Sequence, residues 1–449
     1  MTQKLLIANR GEAASRIIRT AKRMGLGTVA VHSEADSRAL HVGEADERVG
    51  IGPSQARDSY LKIDQIIRAA RDTGADAVHP GYGFLSESAE FARRCREEGL
   101  VFIGPPTEAI QAMGRKTDAR ALAKAVGIPV APGSEETDDV EQACRFAEAL
   151  GYPVLLKPVL GGGGIGMRML RNEEELRQNF DNVREAAALV FGDDNLYLER
   201  YLDAPRHIDV QVAADAGGLA VHLGERECSI QRRHQKLVAE SPSSSLAPDL
   251  AAALREAALA LVRRLKYQTI ATVEMLVDGD AFYFLEMNMR LQLEHSVTEM
   301  CTEVDLVEWQ IRTALGEALP ARQEEIVHNG HAIECLITAE SPEDDFRPEH
   351  GRLHSFLVPT GEGIRNDVGV REGDYVTPYY DPLLAKLIVH GSDRNTAIKR
   401  LQAALDAYMI DGIKNNLGLH RKIAVHPMFI GGETTTHFLQ DALGLPRGY

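Results

Sequence analysis

The sequence lacks the features that mark several classes of protein. Its five cysteines are scattered along 449 residues and form no Cys-x-x-Cys pair, which argues against a disulfide framework and against a thiolate zinc site. No uncharged apolar run approaches the roughly 20 residues that a membrane span needs. The first dozen residues contain no secretion signal. We therefore expect a cytoplasmic protein that is neither exported nor inserted into a membrane.

An excess of basic residues is also missing. The formal net charge of −16 is spread along the chain, which argues against nucleic acid or an anionic membrane as a partner. Hydrophobic residues make up 44% of the chain and aromatic residues only 6%, and no internal repeat is visible. This composition is typical of a globular protein that is long enough for two or three domains.

Short apolar runs alternate with helical patterns in the first quarter of the chain. Residues 4–8, 28–32 and 75–79 are strand-like, and residues 12–23 favour a helix between the first two strands. This alternation predicts an open parallel sheet of the doubly wound kind, and we place its domain at residues 1–113.

The pattern of the chain changes twice after that domain. Pro129 and Pro132 interrupt the periodicity, so we treat residues 114–133 as a linker. Residues 134–202 follow the order helix, strand, glycine-rich loop, strand, helix, strand, which suits a lid subdomain. In residues 203–449 strand-like runs dominate, which predicts a mixed α/β (α+β) fold with a mainly antiparallel C-terminal domain. The helices predicted in this last region are 303–316 and 394–409.

A glycine-rich hairpin is the most informative local feature. Lys157 ends an apolar strand, and the glycines that follow lead directly into a second strand-like run. Dinucleotide sites and P-loops instead run from a strand into a helix, so neither is predicted here. The amides of Gly162, Gly163 and Gly164 can approach phosphate oxygens, and Lys157 supplies a cation beside them. The alternative is a surface hairpin without a ligand.

Two acidic strands form the next candidate site. If the turn at residues 278–280 is a hairpin loop, Glu274 lies opposite Phe284, and Glu286 lies one step along the same face. Two carboxylates and the amide of Asn288 then converge. These ligands suit Mg²⁺, which bridges to nucleotide phosphates. The alternative is an acidic, solvated strand face.

An alternating segment follows these acidic strands. If residues 290–294 are extended, Arg290, Gln292 and Glu294 point to one side. The fork of an arginine matches a planar anion such as bicarbonate, and a neighbouring glutamate can remove its proton. A structural ladder of ion pairs is the alternative.

A basic cluster stands out within this acidic protein. Gln231, Arg232, Arg233, His234 and Lys236 follow one another closely in the segment GERECSIQRRHQKL. The interleaved glutamine and histidine favour an anion or nucleotide site, whereas a basic run by itself is typical of a solvated face. The residues alone leave both interpretations open.

Six motifs, in one order, resemble those of the biotin carboxylase family, which includes components of acetyl-CoA, other acyl-CoA and pyruvate carboxylases. They are IANRGE, HPGYGFLSE, GGGGIGMR, GERECSIQRRHQK, EMNMRLQLEHSVTE and TPYYDPLLAKLIVHG, and the resemblance covers nearly the whole chain. It implies an ATP-dependent ligase with the ATP-grasp fold: a Rossmann-like N-terminal domain, a lid and a C-terminal domain.

The resemblance also implies roles for individual residues. The ATP-binding residues would be Lys116, Lys157, Gly162, Gly163, Gly164, Glu199, Leu202, His207, Gln231 and His234. The ligands of Mg²⁺, or of Mn²⁺ in its place, would be Glu274, Glu286 and Asn288. Bicarbonate would be held by Arg290, Gln292 and the backbone of Leu293. The catalytic residues would be Glu294 as general base, Arg290, and Lys236 near the transferred groups, with Tyr82 beside biotin.

The implied reaction has two halves. Glu294 deprotonates bicarbonate, which attacks the γ-phosphate of ATP and gives carboxyphosphate and ADP; positioning and charge dominate the catalysis of such a step. Carboxyphosphate then yields CO₂ and phosphate. The phosphate takes a proton from N1′ of biotin, and the resulting ureido anion captures the CO₂.

One residue departs from the family pattern on the biotin side. Family members have an arginine directly after the cysteine of the segment HAIECLITAE, where it is thought to stabilise the ureido oxyanion, and this chain has Leu336. One oxyanion donor is worth about 2.7 to 4 kcal/mol. Two alternatives therefore stay open beside a working biotin carboxylase: an enzyme that carboxylates a different nitrogen acceptor, and a nucleotide-binding subunit of low activity.

The expected partners also follow from the resemblance. The sequence contains no biotinylation motif, so we expect biotin to arrive on a separate carrier protein and a separate carboxyltransferase to use the product. Arg16 and Arg19 resemble dimer contacts, which predicts a homodimer. A component of the acetyl-CoA type would take part in fatty acid biosynthesis.

Overall fold

The computed structural model describes residues 3–161 and 164–445. The first region contains β1 (Lys4–Ile7), α1 (Gly11–Arg23), β2 (Gly27–His32), α2 (Leu40–Glu44), β3 (Glu47–Gly50), α3 (Ile63–Thr73), β4 (Ala77–His79), α4 (Ala89–Glu97), β5 (Val101–Phe102) and α5 (Thr107–Gly114). Its five strands form a parallel sheet in the order β3-β2-β1-β4-β5. The prediction of a doubly wound parallel sheet is confirmed.

The central strand of this sheet shows why its sequence is a continuous apolar run. Leu5 and Ile7 pack into the core on one side of the sheet, and Leu6 packs into the core on the other side. A strand that is covered on both faces has no solvent-facing positions, so it does not alternate between apolar and polar residues.

The second region forms the small unit that was predicted as a lid. It follows α6 (Lys116–Ala125) and contains α7 (Val140–Leu150), β6 (Val154–Pro158), β7 (Arg168–Leu170), α8 (Glu173–Phe191) and β8 (Leu196–Arg200). The strands form an antiparallel sheet in the order β7-β6-β8. α7 and α8 pack on this sheet through a core of its own. The order of elements matches the prediction.

The third region is built from longer strands. Its elements are β9 (Arg206–Ala214), β10 (Ala220–Arg232), β11 (Gln235–Ser241), α9 (Pro248–Leu265), β12 (Thr269–Asp278), β13 (Ala281–Asn288), α10 (His295–Thr302), α11 (Leu306–Ala314), β14 (His331–Thr338), β15 (Glu340–Ser341), β16 (Arg347–Pro348), β17 (Gly351–Arg352), β18 (Ser355–Leu357), β19 (Ile364–Val368), β20 (Tyr375–Val376), β21 (Leu383–Gly391), α12 (Arg394–Ala407), β22 (Met409–Asp411), α13 (Leu417–Val425), α14 (Pro427–Gly431) and α15 (Phe438–Leu443). The two predicted helices appear as α11 and α12. Short 3₁₀ turns lie at Ala56–Asp58, Gln323–Glu325 and Pro342–Asp344.

An eight-stranded antiparallel sheet joins this whole region. Its order is β13-β12-β9-β10-β11-β14-β21-β19, so strands that are far apart in the chain become neighbours. Helices α12 and α13 cover the β14 and β21 end of the sheet, and α9 lies on the β9 and β10 end. The predicted antiparallel character of the C-terminal region is confirmed.

Buried ion pairs fasten α1 of the first region to the large sheet. Lys386 Nζ lies 3.0 Å from Glu12 Oε1, and Arg16 Nη2 lies 2.8 Å from Glu299 Oε1. Arg19 is half-exposed and reaches Asp367 at 2.9 Å. These contacts hold α1, and with it the parallel sheet, against α10, β19 and β21 of the third region. In the part of the chain that the structure describes, no helix is both long and apolar enough to cross a bilayer.

Candidate active site

A cavity of about 390 Å³ lies where the three regions meet. It gathers most of the site residues that the sequence predicts: Tyr82, Lys116, Lys157, Gly164, Glu199, Leu202, His207, Gln231, His234, Lys236, Glu274, Glu286, Asn288, Arg290, Gln292, Leu293 and Glu294. Leu336 does not line the cavity. Gly162 and Gly163 lie outside the described residues. Residues separated by more than 200 positions are thus brought to one place.

Two lysines supply positive charge on the lid side of the cavity. Lys157 is near the end of β6 and is buried against the carboxylate of Glu199, which also pairs with Arg120. Burial acts to raise the pKa of Glu199, but Lys157 and Arg120 bring it below its usual value. Lys116 begins α6, and burial lowers the pKa of its ammonium. Both lysines are placed to meet an anionic group such as a phosphate.

The described end of the glycine loop lies close to the turn between β10 and β11 at Gly164. Gly164 has a φ of +75°, and a Cβ atom added there would lie 2.2 Å from Cδ2 of His234. His234 itself sits in the turn between β10 and β11 with a φ of 64°. Only glycine allows the loop to come this close, because both the conformation and the space exclude a side chain.

The acidic pair on β12 and β13 has a different register from the predicted one. Glu274 lies directly opposite Glu286, and Met275 lies opposite Phe284, with an irregularity between them. The prediction that Glu274 faces Phe284 is therefore wrong by two positions. Asp278 pairs with Ala281, so the turn has two residues and not three, which accounts for one position, and Leu285 is an extra residue on β13, as in a β-bulge, which accounts for the other. The bulge brings the two carboxylates closer than the predicted register does, so their convergence is greater than expected.

The electrostatics of this acidic pair fit a divalent cation. Burial, followed by the charge of Glu274, raises the pKa of Glu286. Asn288 Nδ2 donates to Glu274 Oε1 at 2.7 Å, and Asn288 Oδ1 accepts from Arg290 Nη2 at 2.8 Å. Two carboxylates that resist joint ionisation, with an amide beside them, form a set of oxygen ligands that Mg²⁺ prefers.

A second acidic group nearby is an ion-pair network. His207, Asp209 and Glu274 bring three potential ligand atoms within 4.8 Å of one another. Lys236 Nζ, however, lies 2.7 Å from Asp209 Oδ2 and 2.8 Å from Glu274 Oε1. Burial opposes the charge of His207, yet Glu274 and Asp209 raise its pKa to about 9. A protonated imidazole cannot bind a metal, so this network holds the ammonium of Lys236 in place.

Sequence reasoning missed Asp209 and Arg226, which support the residues that it found. Arg226 is fully buried and donates to Gln292 Oε1 at 2.8 Å, and Gln292 Nε2 donates to Glu274 Oε1 at 2.6 Å. The available signal was the alternation of His207, Asp209 and Gln211 along β9, which places three polar side chains on one face.

The segment after β13 does not stay extended. β13 ends at Asn288, and Glu294 is already the N-cap residue of α10. The prediction of one extended run through Arg290, Gln292 and Glu294 is therefore wrong, because the chain turns into a helix that buries Val297 and Cys301. The three side chains and Leu293 nevertheless all line the cavity.

Glu294 differs from the other acidic groups of the cavity. Among the described residues nothing donates a hydrogen bond to its carboxylate, and although Glu294 is the N-cap residue of α10, its side chain makes no capping hydrogen bond. Arg290, in contrast, is held by Glu87, with Nε 2.8 Å from Oε2. The cavity thus contains one carboxylate with free lone pairs next to a fixed guanidinium and a fixed ammonium. This arrangement can remove a proton from a bound anion.

The basic cluster divides into two parts. Arg233 Nη2 lies 2.8 Å from Asp345 Oδ2, and Arg232 pairs with the same carboxylate. Gln231 lines the cavity between His207 and the turn, with its amide 3.5 Å from His207 Nδ1. Arg233 is exposed and Arg232 is buried, and both also line the cavity. The cluster therefore belongs to the site, with Arg233 facing solvent.

Of the two residues predicted on the biotin side, Tyr82 and Leu336, only the first lines the cavity. Tyr82 lines the cavity, and its hydroxyl donates to Glu12 Oε2. Leu336 is buried in β14, where its carbonyl oxygen accepts hydrogen bonds from Asn416 Nδ2 and His420 Nε2, both at 2.8 Å.

Three family models match successive parts of the chain. They are the biotin carboxylase N-terminal domain over residues 1–110, the ATP-binding domain of the carbamoyl-phosphate synthase L chain over 115–322, and the biotin carboxylase C-terminal domain over 334–441. The chain belongs to the biotin carboxylase family. It is an ATP-dependent ligase with the ATP-grasp fold, as predicted.

Known proteins resemble this chain over nearly its full length. The biotin carboxylase of Halalkalibacterium halodurans is 50% identical and covers 100% of this chain and 99% of its own. The mitochondrial methylcrotonoyl-CoA carboxylase subunit alpha of Mus musculus is 47% identical over 97% of this chain, which spans only 61% of that subunit.

One solved structure is similar in fold and contains ligands. The biotin carboxylase domain dimer of the Hydrogenobacter thermophilus 2-oxoglutarate carboxylase, in complex with MgADP, ADP and bicarbonate, superposes with a TM-score of 0.95. Its sequence is 45% identical, and the match covers 98% of each chain.

Proposed function

We propose that this protein uses ATP and bicarbonate to carboxylate biotin by way of carboxyphosphate. The observation that carries the proposal is the carboxylate of Glu294, which has free lone pairs in a cavity where Arg290 and Gln292 are already fixed. The ligands in the Hydrogenobacter domain, MgADP and bicarbonate, support the same assignment of substrates.

Separate residues serve the nucleotide. Lys116 and Lys157 meet the phosphates beneath the glycine loop, and Glu199, Leu202, His207, Gln231 and His234 surround the base and ribose. Glu274, Glu286 and Asn288 would hold Mg²⁺, which neutralises phosphate charge when it is bound. Their convergence around one bulge supports this assignment.

The first half of the reaction forms carboxyphosphate. Arg290, Gln292 and the backbone of Leu293 hold bicarbonate, and Glu294 removes its proton. A bicarbonate oxygen then forms a bond to the γ-phosphorus while the bond to the leaving oxygen of ADP breaks. The ammonium of Lys236, fixed by Asp209 and Glu274, stabilises the charge on the transferred group.

The second half transfers the carboxyl group. Carboxyphosphate breaks into CO₂ and phosphate, and the phosphate takes the N1′ proton of biotin. The ureido nitrogen then bonds to CO₂, with Tyr82 placed beside the biotin ring. A different nitrogen acceptor stays the second candidate, because the buried side chain of Leu336 gives the ureido oxygen no charged donor.

The assembly is also a proposal. We propose a homodimer that works with a biotin carboxyl carrier protein and a carboxyltransferase, and that lies in the cytoplasm. The relatives that are carboxylase subunits and the dimeric Hydrogenobacter domain support the proposed assembly.

Five free, buried cysteines support a reducing compartment. We propose domain divisions at 1–113, 114–133, 134–202 and 203–449; the separation of the five-stranded, three-stranded and eight-stranded sheets supports the first, third and fourth of these units.

The test measures ADP release by the purified protein with Mg·ATP, with and without bicarbonate and free biotin. We expect turnover that requires bicarbonate and is stimulated by biotin. A Leu336→Arg variant is measured beside it. If bicarbonate supports turnover but biotin stimulates only the arginine variant, the natural acceptor is another nitrogen compound. If bicarbonate has no effect on either protein, the proposed function is wrong.

A further inference from the structure

Glu334 has a buried carboxyl group without a partner. Glu334 lies in the middle of β14 with 1% of its surface exposed, and both side-chain oxygens are shielded from solvent. Among the described residues neither oxygen has a hydrogen-bond partner, and no basic side chain forms an ion pair with it. An ionised carboxylate in such a place is costly, so the neutral acid is the favoured form.

The position of Glu334 links it to the active site. In the register of β14 and β21, Glu334 lies opposite Ile388, and Leu336 lies opposite Lys386, so all four side chains share one face of the sheet. Ala332 and Ile388 of this face pack against α10. Since α10 begins directly after Glu294, Glu334 lies behind the bicarbonate end of the cavity.

The one ammonium on this face is already occupied. Lys386 Nζ donates to Leu293 O and to Ser296 Oγ, both at 3.0 Å, and it lies 3.0 Å from Glu12 Oε1. Its ion pairs among the described residues are with Glu12 and Asp367, not with Glu334. Leu336, two residues along the same strand, contributes no charge. On this face of β14 the described residues therefore form neither a hydrogen bond nor an ion pair with the carboxyl group of Glu334.

Acidic groups surround Glu334 from several elements. Glu12 acts on it from α1, Glu294 from the start of α10 and Asp367, itself paired with Arg365, from β19, while Lys386 on β21 opposes them. The hydroxyl of Tyr82 also faces Glu12 from the loop after β4. A further negative charge on Glu334 would be repelled by three carboxylates.

We propose that Glu334 is a positioning residue that is held as a neutral acid behind Glu294, so that bicarbonate meets one carboxylate there and not two. The proposal rests on the proposed function in so far as Glu294 is the base for bicarbonate. Glu334 keeps its proton throughout the reaction. Its role is to add no negative charge behind Glu294. When it ionises, it repels the incoming anion.

The pH at which this happens follows from the surroundings of Glu334. Burial, opposed by Lys386 and reinforced by Glu294, Glu12 and Asp367, raises the pKa of Glu334 to about 8. Below that pH the group is neutral, and above it the second negative charge appears. The KM for bicarbonate therefore rises above about pH 8, while the KM for ATP does not.

The first experiment does not depend on catalysis. Infrared spectra of the wild type and of Glu334→Gln are compared at pH 6 and pH 10, and we expect the wild type to show an additional carboxylic-acid C=O band at pH 6 that is lost at pH 10. In Leu336→Arg the new guanidinium pairs with Glu334, so the band should already be absent at pH 7. A wild-type spectrum without the extra band at pH 6 would overturn the proposal.

The second experiment measures the KM for bicarbonate between pH 7 and pH 9.5. We expect an increase of about tenfold in the wild type, the effect of one like charge in a partly screened site, and a smaller increase in Glu334→Gln. Identical pH profiles in the two proteins contradict the proposal. If neither protein needs bicarbonate for ADP release, the proposed function fails, and the infrared band still decides the state of Glu334. If Glu334→Gln does not fold, Leu336→Arg supplies the comparison.

Discussion

Glu274 on β12 lies directly opposite Glu286 on β13, because a bulge at Leu285 shifts the register of the hairpin by one residue. Two buried carboxylates on neighbouring strands repel each other, and burial together with Glu274 raises the pKa of Glu286. A cation that binds between them removes that repulsion, which is the physical reason to place Mg²⁺ there.

We therefore expect Glu286→Gln to weaken the site for Mg²⁺. The loss of one charged ligand should raise the Mg²⁺ concentration needed for half-maximal ADP release by at least about tenfold, which corresponds to about 1.4 kcal/mol. The control is Asp280→Asn, in the exposed turn of the same hairpin. An unchanged Mg²⁺ requirement in Glu286→Gln would show that the metal binds elsewhere.

Glu294→Gln should abolish the bicarbonate half of the reaction. A general base contributes about 10² to 10⁴ in rate, so bicarbonate-dependent ADP release should fall by at least 10² while nucleotide affinity stays within about threefold. The matched control is Glu303→Gln, an exposed glutamate at the other end of α10. Retention of more than a tenth of the activity in Glu294→Gln contradicts its role as the base.

Gly164→Ala should disturb the contact between the glycine loop and the sheet. The added Cβ would meet Cδ2 of His234 at 2.2 Å, so the loop has to move away. We expect the KM for ATP to rise by about tenfold, the effect of about 1.4 kcal/mol of lost binding. Gly192→Ala is the control, because Gly192 also has a positive φ, of +74°, but nothing lies within 4 Å of its Cβ position. Equal effects of the two changes on KM would contradict the role of this contact.

Asp305 should stabilise the junction of α1 and α11 in a pH-dependent way. Burial opposes its charge, but Arg16, Glu308 N–H and Arg23 bring the pKa of Asp305 to about 2. A lowered pKa gives stability that is present above the unfolded value of about 3.9 and is lost as the pH falls toward 2. Asp305→Asn should therefore cost about 2 kcal/mol at pH 7 and less at pH 3.

This prediction is measured by urea denaturation of the wild type and Asp305→Asn at pH 7 and pH 3. Asp72→Asn, an exposed change on α3, serves as the control for a general effect of lost negative charge. A difference between wild type and Asp305→Asn that is the same at both pH values would contradict the assigned ion pairs.

The sequence alone supports much of the fold. The apolar run of β1 and the helix of α1 have local patterns that only a buried parallel strand and an amphipathic helix satisfy. The hairpin at Lys157 was recognisable because a run of glycines between two strand-like segments favours a turn or loop. Tertiary contacts reinforce these local preferences, so the predictions agree with the structure.

The errors have physical causes that local patterns do not contain. The pairing of Glu274 with Glu286 depends on whether Leu285 or its neighbours pack into the core. The sequence of the turn between β12 and β13 does not determine this packing. The run after Asn288 alternates like a strand, but burial of Val297 and Cys301 against the sheet favours a helix that starts at His295. Asp209 was missed because its importance comes from Lys236, which is on another strand.

The sequence by itself determined the family, the order of the elements and the kinds of chemical group in the active site, because motifs and periodicity act over a few residues. Tertiary structure decided which of these groups meet, which are paired and which are left without a partner. Glu294 and Glu334 are both buried glutamates, yet the carboxylate of Glu294 lines a cavity and the carboxyl oxygens of Glu334 have no hydrogen-bond partner among the described residues. Charge and burial depend on neighbours that are distant in sequence, so only the folded chain distinguishes a base from a neutral acid.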